Sequence, residues 1–211
     1  MHDFALFLKR RLRQPLPGTQ AQLKMAPQPV GEGDERVLDP GEDANQSSVL
    51  VAFYPNEEDV LELLLTLRSD DIEHGGQISF PGGRSEAGEA AEDTALREAR
   101  EEVGIVPEQV EILGRLSPLF VNHSNNNVIP VAGYLPHQPP LTLDPREVQE
   151  AFSIELDSLL GKDNLTVEQW ELPTYRYQVP FWDVHRVPLW GATAMMLNEF
   201  LELYREYSRG S

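Results

Sequence analysis

The chain has 211 residues, no cysteine, and 35 Asp and Glu against 17 Lys and Arg, for a formal net charge of −18. That length suits one well-buried domain with extra segments. The acidic balance, with no basic stripe or basic–aromatic interleaving, argues against nucleic-acid and anionic-membrane partners. The lack of cysteine excludes disulfides, thiolate metal sites and cysteine nucleophiles. No apolar run reaches membrane-spanning length, and Met1 to Gln14 lacks the hydrophobic centre of a signal peptide, so a cytoplasmic protein is the expectation.

Asp3 to Leu12 reads as a short amphipathic helix ending in the basic run Lys9 to Arg13. Such a helix either packs on the domain with its charges solvated or contacts a partner or anionic ligand, and the first reading is the plainer. Pro15 to Asn45, rich in Pro, Gly, Gln and acids, reads as a linker or wrapping arm, which gives a division into residues 1–45 and a domain over 46–208. Ser47 to Pro55 and Leu61 to Arg68 are apolar runs with a polar break between them, as in a strand pair. Gln77 to Phe80 reads as a short strand leading into a glycine turn. Apolar stretches Val110 to Phe120 and Val128 to Leu135 flank the polar loop Asn122 to Asn127, and Pro136 to Pro145 is a proline-rich connection. A strand at Ala151 to Ile154, a helical turn after it, and an alternating strand at Tyr175 to Trp182 follow. From Trp190 to Tyr204 apolar residues recur at helical spacing, so that helix and its methionines belong to the core. Strands interrupted by two helices, without strict alternation, predict an α/β fold: a mixed sheet with helices on both faces.

The stretch that carries chemistry is Gly82 to Ile105. A run without Gly or Pro from Glu89 to Val103 is rich in Ala, Glu, Arg and Leu, which favour helix, and Gly104 supplies a left-handed stop. At about 100° per residue, Glu101 and Glu102 fall at about −60° and +40° from Glu98, so three carboxylates share one stripe. Leu96, Ala99 and Val103 form the neighbouring stripe, which faces the core. Like charges at these spacings repel, and a hard divalent cation with oxygen ligands, Mg²⁺ or Mn²⁺, removes that penalty. The plainer alternative is a solvated acidic face. It must also account for Gly83, Glu89, Arg97 and Gly104 at their particular spacings.

Gly83, five residues, Glu89, seven residues, Arg97-Glu98-Ala99, one residue, Glu101-Glu102, one residue, and Gly104-Ile105 match the Nudix box at every fixed position. The chain therefore resembles the Nudix hydrolases, which implies an α/β/α sandwich and hydrolysis of a nucleoside diphosphate linked to a further group. The resemblance implies two or three divalent ions held by Glu98, Glu101, Glu102 and the carbonyl of Gly83, with Glu89 and Arg97 in support. LLTLRS at Leu64 to Ser69, HGGQISFPGG at His74 to Gly83, Glu147-Val148 and LWGATA at Leu189 to Ala194 resemble the coenzyme A pyrophosphatase subgroup. The resemblance runs from about Ser47 to about Tyr204. One departure stands out: where the subgroup's upstream motif carries an arginine, this chain has Asp70-Asp71-Ile72-Glu73, and its spacing is one residue shorter.

Glu147 matches the subgroup's glutamate and is a candidate metal ligand or general base, set against the reading of a surface acid in a turn. Arg68 and Arg84 are candidates for substrate phosphate, since guanidinium forks match phosphate geometry. The expected substrate is coenzyme A or acyl-CoA; ADP-ribose, dinucleoside polyphosphates and nucleoside triphosphates are alternatives within the class. A non-catalytic nucleotide-binding module is the alternative outside it. A homodimer through the N-terminal arm or C-terminal helix stays open.

Overall fold

A computed structural model describes residues 1–31, 36–70, 75–161, 164–172 and 175–210. The chain enters through α1 (Asp3–Arg11), which starts where the Phe4 amide donates to His2 Nδ1 at 3.1 Å. Its last turn carries Lys9, Arg10 and Arg11, where cations suit the negative end of the helix dipole. Phe4, Ala5 and Leu8 are fully buried. The segment that follows also packs: α2 (Gly18–Gln22), a 3₁₀ turn at Leu23–Met25 and the two-residue strand β1 (Gln28–Pro29) bury Ala21, Met25 and Ala26.

Next come β2 (Asn45–Pro55), β3 (Leu61–Arg68), β4 (Ile78–Ser79), β5 (Gly82–Arg84) and the acidic helix α3 (Ala91–Val103). Strands β6 (Glu111–Arg115), β7 (Leu119–Val121), β8 (Asn126–Tyr134) and β9 (Val148–Glu155) follow, then the short α4 (Leu156–Leu160). The chain closes with β10 (Leu165–Glu171), β11 (Arg176–Trp182) and the long α5 (Gly191–Gly210).

Among the described residues, eight of these strands form one mixed sheet. β2 lies at its heart, antiparallel to β3 and β5 and parallel to β8, with Ser47 opposite Val128 and Phe53 opposite Tyr134. β9 and β4 extend it beyond β3, and β6 and β7 beyond β8. Strand alternation splits β2 between two cores. Val51 and Phe53 face α1 and α5, whereas Leu50, Ala52 and Tyr54 face α3. Helices thus cover both faces of a mixed sheet, as the sequence predicts.

Two features go beyond the sequence reading. The glycine turn is itself a strand: Gly82, Gly83 and Arg84 pair with Val49, Ser48 and Ser47. A second sheet, ordered β1-β11-β10, joins the arm to the C-terminal half. β10 has the sequence LTVEQWE and is mostly exposed on both faces, so it lacks the apolar alternation by which strands are recognised. At the opposite end of the arm, Glu199 of α5 is fully buried. It accepts hydrogen bonds from the Gly18 amide, Gln22 Nε2 and the amide and hydroxyl of Ser117 at 2.7–3.2 Å.

Candidate active site

Helix α3 begins at Ala91, two residues after the Glu89 at which its glycine-free run starts. It ends at Gly104, whose φ of +76° is the left-handed cap expected of that residue. Small residues line its buried side: Ala91, Ala95 and Ala99 are packed with Val103 against β2 and β8. Their size lets the helix approach the sheet closely, which brings its carboxylates to the backbone of β5.

The contact at Gly83 is the tightest. A Cβ at that position would lie 2.5 Å from the Glu98 carboxylate carbon, so no residue but glycine fits under Glu98 as it stands. Gly82 has φ +155°, and a Cβ there would fall 2.4 Å from the Ser48 carbonyl oxygen. The Gly82 amide donates to Glu102 Oε2 at 2.9 Å. Glu102 is 3% exposed, with Arg68 Nη1 3.8 Å from its Oε1. Burial pushes the Glu102 carboxyl up to about 7, against the pull of the Gly82 amide and Arg68 and with the help of Glu98 and Glu147. Burial raises the Glu98 carboxyl too, opposed by Arg97 and assisted by Glu101 and Glu147. Glu101 differs from both, being 59% exposed.

Arg97 organises the outer side. Its Nε and Nη2 hold Glu89 at 2.9 and 3.0 Å, Nη1 holds Glu98 at 2.8 Å and Glu101 at 3.3 Å, and Nη2 also donates to the Arg84 carbonyl at 3.1 Å. Glu89 accepts in addition from the Glu86 amide and the Thr94 hydroxyl. Together, Arg97 first, these hold its carboxyl down at about 2. Fixed spacing within the box is thus a wiring diagram: one guanidinium reads three acids and a carbonyl. Arg84 joins through its backbone, and its side chain is exposed.

Glu147 comes from a different element and acts on Glu98 and Glu102 through its charge. The Asp144 amide donates to the Glu102 carbonyl at 2.9 Å, the Glu147 amide to the Asp144 carbonyl at 3.0 Å, and the Ser69 amide to the Glu147 carbonyl at 2.9 Å. The loop before β9 is therefore pinned both to α3 and to the residue after Arg68. Thr94, Ser85 and Asp144 are participants that the sequence reading missed. Thr94 stands five residues after Glu89, a separation that only the loop-to-helix geometry turns into a contact. Of the departing segment Asp70-Asp71-Ile72-Glu73, residues 71–73 lie outside the described residues.

The donors fit a hard divalent ion in kind: carboxylates and backbone carbonyls, all oxygen, with Glu102 buried and Glu98 half-buried and both destabilised as anions. Among the described residues, no three acidic or histidine side chains stand together as a finished cage. Arg97 Nη1 engages both Glu98 and Glu101.

A mixed sheet covered by helices on both faces, with this acidic helix and glycine strand, defines the class: the model for the NUDIX domain matches residues 44–177, and the chain belongs to the Nudix family. Enzymes of this family are hydrolases of pyrophosphate linkages and generally use divalent metal ions. Nudix hydrolase 3 of Caenorhabditis elegans is 34% identical over 160 residues, covering 67% of this chain and 66% of the relative. The uncharacterized Nudix hydrolase NudL of Pectobacterium atrosepticum is 35% identical over 77% of this chain and 84% of its own length. The peroxisomal coenzyme A diphosphatase NUDT7 of Mus musculus is 39% identical over 56% of this chain and 50% of its own length. The chain thus spans between half and 84% of these relatives. Other relatives are named as mitochondrial and chloroplastic. Among the described residues no helix is long and apolar enough to cross a membrane. The fold is shared with the solved Nudix hydrolase RenU of M. Smegmatis, at a TM-score of 0.56 and 16% identity over 83% of this chain and 96% of that one.

Proposed function

We propose that this chain hydrolyses the pyrophosphate of coenzyme A or acyl-CoA, releasing 3′,5′-ADP and the phosphopantetheine half, with Mg²⁺ or Mn²⁺ as cofactor. The observation that carries the reaction type is the pairing of the half-buried Glu98 and the buried Glu102 with the side-chain-free backbone of Gly82 and Gly83. The substrate reading is supported by the HGGQISFPGG segment and by the likeness to the mouse coenzyme A diphosphatase.

Glu98, Glu101, Glu102 and the Gly83 carbonyl would hold the ions, and ions bound there would supply charge neutralisation at the pyrophosphate and a water made nucleophilic near neutral pH. Glu102 accepts from the Gly82 amide, with Arg68 beside it; Arg68 is the first phosphate contact. Arg84, exposed at the end of the glycine strand, is the second phosphate contact. Glu147 accepts the proton of the attacking water or adds a ligand, and its loop supplies the rigidity either role requires. Arg97 and Glu89 hold the loop and helix in register. In this reading residues 46–208 are the catalytic domain and residues 1–45 an N-terminal arm, in a cytoplasmic enzyme whose partner is the nucleotide itself.

The altered segment at Asp70 to Glu73 favours a second reading in which the same site takes another nucleoside diphosphate derivative, such as ADP-ribose or a dinucleoside polyphosphate. Product analysis with coenzyme A, ADP-ribose and a dinucleoside polyphosphate, each with Mg²⁺ or Mn²⁺, separates the two. Dominant release of 3′,5′-ADP and phosphopantetheine is expected. Faster turnover of either other substrate overturns the coenzyme A reading, and no hydrolysis with nucleotide binding retained points to a non-catalytic module.

A further inference from the structure

The even positions of β2 point toward α3, and at Ser48 this places a hydroxyl where Leu50, Ala52 and Tyr54 place apolar groups or rings. Ser48 is fully buried, and its Oγ has no hydrogen-bond partner among the described residues. Buried hydroxyls in folded proteins are nearly always bonded, so an orphan calls for a physical reason.

The strand register supplies one. Ser48 stands directly opposite Gly83 in the antiparallel pairing of β2 with β5. Side chains of directly opposed residues leave the sheet on the same side, with Cβ atoms about 4.5–5.5 Å apart. The position of the missing Gly83 Cβ is 2.5 Å from Glu98 Oε2 and 2.7 Å from Oε1. The Glu98 carboxylate therefore fills the space above Gly83, one cross-strand position from the orphan hydroxyl. In the structure Glu98 Oε1 is engaged by Arg97 at 2.8 Å. A carboxylate that leaves Arg97 to bind an ion loses that donor while still half enclosed, and it needs another to stay charged and aimed.

We propose that Ser48 is a positioning residue for Glu98: its hydroxyl donates to the Glu98 carboxylate when that carboxylate turns from Arg97 toward a divalent ion. The inference rests on the metal-dependent reading of the site given above. It assigns the unbonded hydroxyl to the loaded state and Arg97 to the unloaded one, so Glu98 has a donor in each. Alanine at position 48 would fill nearly the same space and would leave the loaded carboxylate without its donor.

The test is a calorimetric titration of the full chain with Mn²⁺ alone, without nucleotide, for wild type, Ser48→Ala, Glu98→Gln and the double variant, together with metal-free thermal melts. Ser48→Ala is expected to weaken Mn²⁺ binding roughly 10-fold, the lower end for residues that orient metal ligands. In the Glu98→Gln background it is expected to add nothing. The metal-free Ser48→Ala protein is expected to melt at the wild-type temperature or above it, because an unbonded buried hydroxyl has been removed. Wild-type Mn²⁺ affinity in Ser48→Ala beside a weakened Glu98→Gln overturns the role of Ser48 and leaves the metal site standing. Unchanged affinity in both overturns the metal reading itself. Equal losses from Ser48→Ala in the two backgrounds show that it does not act through Glu98. A lowered metal-free melting temperature shows that the hydroxyl was bonded already.

Discussion

On the α5 side of the sheet, Phe4 lies within 4.8–5.7 Å, ring centre to ring centre, of Phe53, Phe200, Tyr204 and Tyr207. On the α3 side, the helix offers Ala91, Ala95, Ala99 and Val103 to the sheet, and its neighbouring positions carry Glu98, Glu102 and Arg97. Large rings keep α1 and α5 at a distance set by side chains and bury much apolar area there. Small residues let α3 settle close enough for carboxylates to touch β5. The two faces share β2 as a wall, so the apolar side can stabilise an acidic side that is, on its own charges, self-repelling. Separating the two jobs by one strand predicts that substitutions should affect one side without the other.

The largest effect is expected on the acidic side. Glu102→Gln keeps the acceptor for the Gly82 amide and removes the charge, so turnover should fall by on the order of 10³-fold while the fold persists. Near-normal turnover in that variant, measured with the substrate the wild type prefers, would sink the assignment. Next, Phe4→Ala on the aromatic side should cost about 3–5 kcal/mol in urea unfolding, the range for deleting a buried ring, with Mn²⁺ affinity of the folded protein unchanged. A matching loss of Mn²⁺ affinity would show that the sheet does not insulate its faces. Arg97→Ala should blur the division. It frees three acids at once, and is expected to lower activity about 10–100-fold through misplaced ligands. A drop in activity no larger than that of a surface control would reduce Arg97 to a bystander.

The smallest effect is a pH dependence. The folded-state pKa of Glu102 lies at about 7, above its ordinary 4.5, so the fold favours the protonated form. Its contribution to stability is fully present below about 4.5 and is lost as pH rises through about 7. The metal-free protein should therefore lose more melting temperature between pH 5 and 8 than Glu102→Gln does, and parallel curves would contradict this. Glu89 acts at the other end. Held at about 2, it contributes stability above 4.5 that disappears as pH falls through about 2.

Where local rules govern, the sequence was readable. Residues on one helix keep their spacing, so Glu98, Glu101, Glu102 and the Gly104 stop followed from counting. Gly83 followed from its place in the box, whereas the Glu98 carboxylate lying over it came only with the fold. What stayed hidden depends on distant partners. Glu199 looks like any helix glutamate until residues 18, 22 and 117 arrive around it. β10 offers too few apolar residues to announce itself, and β1 is two residues long. The arm's packing rests on Phe4, Leu8 and Met25 finding α5, a matter of tertiary fit.

The hydrogen bond from the Asp144 amide to the Glu102 carbonyl has a bearing on how this protein can change. It turns residues 142–147 into a brace of set length between the acidic helix and β9, while residues 136–138 ahead of it are exposed. Insertions at 136–138 could lengthen the rim and meet a bulkier substrate without shifting Glu147. An insertion of one residue between 144 and 147 would break the backbone path from the Glu102 carbonyl through Asp144 to Glu147. New specificities are thus reached most readily through the outer stretch of this connection, with the inner stretch left untouched.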